Sequence, residues 1–158
     1  PFIRPKKFSL ADVNLRTVQR FSLSELEKKN VFPDLVVHLE ETYPFRDKDF
    51  IDDAIKVLLK NGYDTVIAAK EEKGWLWKQN LNEFLRIEEG DIPGKIKKKT
   101  YLGLHGICCV TYPEFIREGL LIGKNIGLLP VKNSLSIVEI RDNETYKKFS
   151  KILKKNIN

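Results

Sequence analysis

The stretch DLVVHLEETYPFR, residues 34–46, decides the fold class of this chain. Its apolar part, residues 35–39, is short, rich in β-branched side chains and free of alternation, which is typical of a strand covered on both faces in a parallel sheet. A polar loop from Glu40 to Arg46 follows at once. Because open α/β sheets bind ligands where their strands end, we predict the ligand edge here. His38, inside the strand, is predicted to be a satisfied core or rim residue.

A helix and a second strand follow this loop. Apolar residues between Ile51 and Leu59 recur at the three-and-four spacing of an amphipathic helix, which Gly62 should end. Residues 65–69 then form a second buried strand. Strand, helix and strand in this order make a right-handed βαβ unit. We therefore predict an α/β fold with a mostly parallel sheet.

The flanking sequence supplies the remaining elements. A first helix is expected to begin near Ser9, since Asp12 three residues later resembles a capping box. Further strands are predicted at residues 106–111, 126–131 and 136–140. A short helix should run from Tyr112-Pro113 to Gly119, and Asp142 should cap a final helix.

Composition limits the function classes. The 158 residues, 42% of them hydrophobic, suit a single domain. The net charge of +6 comes from scattered lysines without interleaved aromatics or a recognition motif, so we expect a solvated surface that favours a small anionic substrate and no nucleic-acid partner. The adjacent Cys108 and Cys109 suit buried thiols better than a disulfide or a zinc site. With no apolar run of about 20 residues, a soluble cytoplasmic protein without membrane contact is expected.

Residues 71–104 differ in composition from the strand–helix–strand region before them, and they are predicted to be an excursion from the sheet. Trp75 and Trp77 flank a leucine here. Such an apolar group either packs against another subunit, giving a homodimer, or caps the core of its own chain.

Two groups of charged residues follow predicted strands. Glu40 and Glu41, with Arg46, can bind sugar hydroxyls, a carboxylate or a divalent ion. Glu139 and Asp142 offer hard oxygen ligands that can hold Mg²⁺ beside phosphates, although helix capping is the alternative role of Asp142.

These residues resemble a known family. The segment LEETYPFR, residues 39–46, is similar to the Leu-Gln-Pro-Thr-Ser-Pro-Leu-Arg segment of acylneuraminate cytidylyltransferases, and PFIRP, residues 1–5, resembles the family's Pro-Phe-x-Arg-Pro. The helix at 51–55, the strand at 64–67, the Gly106-containing strand and the turn at 123–124 follow in the family's order. The resemblance covers the family's central and C-terminal parts.

The resemblance implies a Rossmann-like, three-layer α/β/α nucleotidyltransferase fold with a dimerisation excursion. In such enzymes a hydroxyl of a nonulosonic, sialic-type sugar acid attacks the α-phosphate of CTP, giving a CMP-sugar and pyrophosphate, with Mg²⁺ stabilising charge. By position, Glu40, Thr42 and Arg46 match residues of the substrate-binding loop. Lys78 lies where a lysine supports the carboxylate of the sugar acid.

Three departures from the family pattern leave two alternative predictions of function. No Leu-Ala-x-Arg-x-x-Ser-Lys-like segment for the triphosphate occurs in the sequence, so we expect a domain that lacks the CTP-binding strand and loop and is inactive alone. The metal-binding Ile-Asp-Ile-Asp motif reads VEIR at residues 138–141, and a glutamine is replaced by Glu40. The chain is thus either part of a cytidylyltransferase or a non-catalytic homologue, a binding or assembly module with a decayed metal site.

Overall fold

The computed structural model describes residues 2–87 and 98–156 and has a mixed α/β fold. Its helices are α1 (Leu15–Glu27), α2 (Phe50–Asn61), α3 (Pro113–Arg117) and α4 (Asn143–Asn156), with short 3₁₀ helices at Lys6–Phe8 and Ser134–Ile137. Its strands are β1 (Val36–His38), β2 (Thr65–Glu72), β3 (Trp77–Asn80), β4 (Glu83–Arg86), β5 (Thr100–Gly103), β6 (Cys109–Thr111) and β7 (Ile126–Pro130).

Five strands form one sheet around β2. Strands β6 and β5 pair with β2 in succession, both antiparallel, and β7 pairs with it in parallel. Strand β1 pairs antiparallel with β6. The sheet is therefore mostly antiparallel, and the prediction of a mostly parallel sheet was wrong. Strands β1 and β2 do run in the same direction, but β6 lies between them. A strand covered on both faces is apolar whichever way its neighbour runs, so its sequence does not encode that direction.

Two local predictions were also wrong. Helix α1 begins at Leu15 rather than near Ser9, because the side chain of Asn14 accepts a hydrogen bond from the Thr17 backbone N–H at 3.0 Å. The strand expected at residues 136–140 is replaced by the second 3₁₀ helix, where the Asn133 side chain accepts a hydrogen bond from the backbone N–H of Leu135. In both places an asparagine side chain satisfies a backbone donor and begins a helix.

Several elements lie where the sequence pattern predicts them. Helix α2 ends at Gly62, whose φ of 66° is the left-handed conformation that glycine adopts without steric cost. Strands β2 and β7 and the short helix α3 also match their predicted positions. Asp142 caps α4, since its Oδ1 accepts a hydrogen bond from the Thr145 backbone N–H at 2.7 Å.

The two faces of the sheet have different partners. One row of side chains across three strands consists of Val66, Val110 and Val37. Val66 and Val110 belong to the core that includes Leu58 of α2, and Val37 packs against it. Ile67, Cys109 and His38 form the adjacent row, which points to the opposite face because side chains alternate along a strand. Residues of α1 line a cavity together with that second row. His38 is thereby directed away from the main core.

The cysteines are buried free thiols, as predicted. Burial raises the pKa of Cys108 to about 11 and that of Cys109 to about 12, so both stay protonated and unreactive at neutral pH. No helix in the described ranges is long and apolar enough to cross a membrane.

The predicted excursion at 71–104 lies partly outside the described residues, which omit 88–97. Its described part begins with the end of β2 and continues into β3 and β4, which form an antiparallel hairpin and, among the described strands, pair with no others. Trp75 and Trp77 are both more than half exposed. The hairpin therefore presents apolar side chains outside the five-stranded sheet.

Candidate functional site

The candidate site lies just beyond β1, where the chain enters the loop at residues 39–46. The backbone N–H of Glu40 donates a 2.7 Å hydrogen bond to the carbonyl of Gly106, which extends the contact between β1 and the segment before β6. His38 and Glu40 are two residues apart on this extended backbone. Their side chains consequently project to the same side.

A break in the sheet brings a second histidine to this loop. Ala68 of β2 makes two backbone hydrogen bonds to the segment that joins β5 and β6. Its N–H donates to the Cys108 carbonyl at 2.8 Å, and its carbonyl accepts from the Leu104 N–H at 2.7 Å. The residues between these two partners leave the ladder as a bulge, so that β5 and β6 are separate strands on one edge. His105 and Gly106 lie on this bulge, beside Glu40. Bulges commonly re-aim side chains in this way.

Arg46 fastens the loop to the bulge. Its Nε donates to the Ile107 carbonyl at 2.6 Å, and its Nη2 donates to the carbonyls of Gly106, at 3.0 Å, and Glu40. These carbonyls belong to two segments about 60 residues apart in the chain. The guanidinium predicted to bind substrate thus holds the backbone of the site. Its predicted contact with a substrate stays a prediction.

Gly106 permits the close approach of the two segments. A Cβ at this position would lie 2.7 Å from Glu40 Cδ, 2.7 Å from Tyr43 Cε2 and 2.9 Å from Glu40 Oε2. Gly106 is buried, and its φ is not positive, so the absence of a side chain rather than an unusual backbone conformation is what the site needs.

His38, Glu40 and His105 form a compact cluster. Glu40 Oε1 lies 3.2 Å from His105 Nε2 and 3.8 Å from His38 Nε2. The two imidazole rings stack with centroids 5.8 Å apart and an interplanar angle of 15°. Burial, and secondarily the neighbouring His105, lower the pKa of His38, which favours its neutral form.

The buried Nε2 of His38 has no hydrogen-bond partner among the described residues, so the expectation that His38 is a satisfied residue is not met at this nitrogen. The 3.8 Å separation from Glu40 is too long for one.

The segment before α4 completes the cluster on its other side. Arg141 Nη2 lies 3.2 Å from Glu40 Oε2, and its Nε pairs with Glu139. The Thr42 carbonyl accepts a 2.8 Å hydrogen bond from the Ile140 N–H, which joins this segment to the loop. The Thr42 hydroxyl lies 3.5 Å from both Glu40 Oε2 and Glu139 Oε1. Glu40 and Glu139, one from each charged group predicted from the sequence, therefore meet at Arg141.

The other predicted residues lie outside this cluster. Lys78 is exposed on β3, in the separate hairpin. Asp142 uses both carboxylate oxygens on Thr145, and the hydrogen bond from the Thr145 backbone lowers the pKa of Asp142. Asp142 therefore takes the capping role that the sequence left as its alternative.

The sequence did not predict that His105 lies at this site, nor that Arg141 contacts Glu40. The available signal for His38 was its spacing of two from Glu40 at the end of a strand. The signal for His105 was weaker, because only the bulge places it opposite Glu40.

A small, mostly apolar cavity adjoins the two histidines. Its volume is about 190 Å³, and its lining includes His38, His105 and Cys109 from the sheet region and Gln19 from α1. The buried Oε1 of Gln19 lacks a hydrogen-bond partner within the described part of the chain. The cavity can thus accept a small group that also offers a hydrogen-bond donor.

Comparison of the chain with protein-family models and with curated proteins gives no significant match.

Proposed function

We propose that this chain binds a nonulosonic, sialic-type sugar acid as part of a CTP-dependent cytidylyltransferase with a Rossmann-like α/β/α fold. The observation that carries the proposal is the meeting of two distant segments, residues 39–46 and 138–141. Both were singled out by their resemblance to the substrate-binding loop and the metal-binding motif of acylneuraminate cytidylyltransferases. Hydrogen bonding of Ile140 to Thr42 brings these segments together.

The chemistry of the site suits a polyhydroxylated acid. Glu40 and Thr42 offer acceptor and hydroxyl groups for sugar hydroxyls. Arg141 is exposed, always charged and able to bind a carboxylate. In this proposal Arg46 supports the loop. Lys78 lies in the β3–β4 hairpin, apart from the residues of this site.

The predicted Mg²⁺ ligands do not fit that ion as they are arranged. The Glu139 carboxylate is paired with Arg141, and Asp142 is occupied in capping α4. The proposal accordingly assigns substrate binding, and no metal-dependent step, to these residues.

The same Glu139–Arg141 pair favours a second candidate, a non-catalytic homologue that binds the sugar acid without activating it. One experiment separates the two candidates. The complete gene product is incubated with CTP, Mg²⁺ and a panel of sialic-type acids, and binding, pyrophosphate and CMP-sugar are measured. Pyrophosphate release supports the transferase, whereas saturable acid binding without release supports the binding module. Absence of both overturns the proposed site.

Glu40→Gln is expected to tighten sugar-acid binding by about fivefold, because removing a charge near the substrate carboxylate is worth about 1 kcal/mol in a partly solvated site. Calorimetric titration of the chain measures the change. Glu41→Gln is the matched control, since Glu41 is the adjacent, exposed carboxylate of the same loop, and its affinity should equal that of the unchanged chain. Equal affinities in all three proteins would place the acid elsewhere.

We also propose that the chain forms a homodimer through the β3–β4 hairpin. Phe84, Leu85 and Ile87 are exposed there beside both tryptophans. Phe84 is 67% exposed and lies opposite Gln79 in the hairpin. Covering this apolar surface would stabilise a dimer through the hydrophobic effect.

Sedimentation velocity is expected to show a dimer that Phe84→Glu converts to a monomer, because burying an unpaired carboxylate at an interface is unfavourable. Phe32→Glu is the control, since Phe32 is 65% exposed and lies before β1, outside the hairpin. A monomer at all concentrations, or equal dissociation by both substitutions, would refute the hairpin interface.

A further inference from the structure

We propose that His38, Glu40 and His105 bind a divalent transition-metal ion of the zinc class. Each residue offers one potential ligand atom, a ring nitrogen from each histidine and a carboxylate oxygen from Glu40, and these three atoms all lie within 4.8 Å of one another. Two imidazoles and one carboxylate are a ligand set that zinc and related ions accept, with metal–ligand distances of about 2.0–2.2 Å. This ion site shares Glu40 with the proposed sugar-acid site but does not require that activity, and its ligands are other than Glu139 and Asp142.

The cluster needs only small movements to close around an ion. Ligand atoms of a tetrahedral ion with such bond lengths are separated by about 3.4 Å. Glu40 Oε1 and His105 Nε2 are already 3.2 Å apart, and His38 Nε2 is 3.8 Å from the same oxygen. The His105 side chain is 54% exposed, so it has room to rotate toward His38. His38 is fixed by its place in β1.

The buried nitrogen of His38 is the second observation that points to a ligand. Its Nε2 has no hydrogen-bond partner among the described residues. Leaving such a group unsatisfied costs about 1–3 kcal/mol. Coordination of an ion through its lone pair would satisfy that nitrogen. An ordinary core histidine would instead direct it to a protein donor or acceptor.

The two oxygens of Glu40 are divided between different partners. Oε2 lies 3.2 Å from Arg141 and 3.5 Å from the Thr42 hydroxyl, whereas Oε1 faces the histidines. Interactions of this kind orient a ligating carboxylate without occupying the atom that binds the ion. Arg141 therefore acts here as a positioning residue.

The proposed ion would have an open position. Three protein ligands leave at least one coordination site for water or another small ligand. The cavity of about 190 Å³ that both histidines line offers space on one side of the cluster. An oxygen-bearing group of a small molecule is the class of ligand that fits such a position.

Metal binding is tested on the untagged full chain after chelator treatment and dialysis. Titration with Zn²⁺ by calorimetry is expected to give one equivalent, and Co²⁺ should give the visible absorption of a low-coordinate site. His105→Asn should weaken Zn²⁺ binding by at least about 100-fold, since even partners of metal ligands contribute about 10–100-fold. Glu41→Gln is the matched control, because Glu41 is exposed and is not one of the three clustered ligands, so this variant should bind as the unchanged chain does.

His105 is exposed, so His105→Asn decides the test even if His38→Asn fails to fold, which circular dichroism reports. Arg141→Ala should weaken binding by about tenfold and leave the Co²⁺ absorption bands in place, as a positioning role requires. Failure to bind either ion, or equal Zn²⁺ affinity in His105→Asn and the unchanged chain, overturns the site. Sugar-acid binding is measured separately, in buffer free of Zn²⁺ and Co²⁺, so that failure of the ion site and failure of the proposed function can be distinguished.

Discussion

Gly106→Ala is expected to destabilise the chain by about 2 kcal/mol, the cost typical of forcing an extra carbon into a packed position. The added Cβ would lie 2.7 Å from atoms of both Glu40 and Tyr43. Tyr43 is buried in the core, so it has little room to move. Glu40 must then shift, which separates its carboxylate from the histidines and from Arg141. Urea denaturation measures the loss in stability.

Gly74→Ala is the matched control for this substitution. Neither glycine has a positive φ, but a Cβ at Gly74 meets no atom of the described residues within 4 Å. Its stability should change by less than about 0.5 kcal/mol, as expected of a surface substitution. If both alanine variants were equally stable, the loop and the bulge would not be in close contact at Gly106.

Arg46→Ala is expected to cost about 3 kcal/mol, because hydrogen bonds to a charged group contribute about 1.5–3 kcal/mol each and carbonyls from two segments lose their common donor. Arg46→Lys should recover part of the loss, since an ammonium keeps the charge but lacks the planar fork. The shift of the denaturation midpoint, with the slope m of the unfolding free energy against denaturant unchanged, measures this loss of stability. Amide exchange at Glu40, whose N–H bonds the Gly106 carbonyl, should accelerate in the alanine variant.

Arg16→Ala controls for the loss of a positive charge, because Arg16 is exposed on α1. It should change stability by less than about 0.5 kcal/mol. The pair of variants also tests the predicted substrate role of Arg46. Weaker sugar-acid binding by Arg46→Ala without any loss of stability would show that the guanidinium contacts substrate rather than holding the backbone.

Local sequence patterns predicted the elements that depend on local interactions. Helix α2 followed from its apolar spacing and from Gly62, and α4 followed from Asp142 as its cap. The misplaced start of α1 has the same basis, because Asn14 and Ser9 are both acceptable caps and only the folded chain selects one. Hydrogen-bond partners within a few residues leave a signature in the sequence.

The sequence predicted part of the candidate site. It placed Glu40 and Thr42 just after the strand that contains His38 and marked Glu139 as a second charged group, but nothing in it joined these residues to His105 or to one another across the chain. Those contacts span up to about 100 residues of chain. They depend on where the bulge before β6 and the segment before α4 come to lie, and nothing in the local pattern reports that.

By itself, the sequence of this protein determined the α/β class, the positions of its main helices and strands, and the polar loop that follows β1. These features follow from side-chain periodicity and capping, which act over a few residues. Only the tertiary structure decided the direction of the strands and the composition of the site. Insertion of β6 between β1 and β2 places the bulge with His105 beside Glu40, and Arg46 holds them together. Such pairings are chosen by packing of the whole chain, because an apolar strand is equally compatible with parallel and antiparallel neighbours.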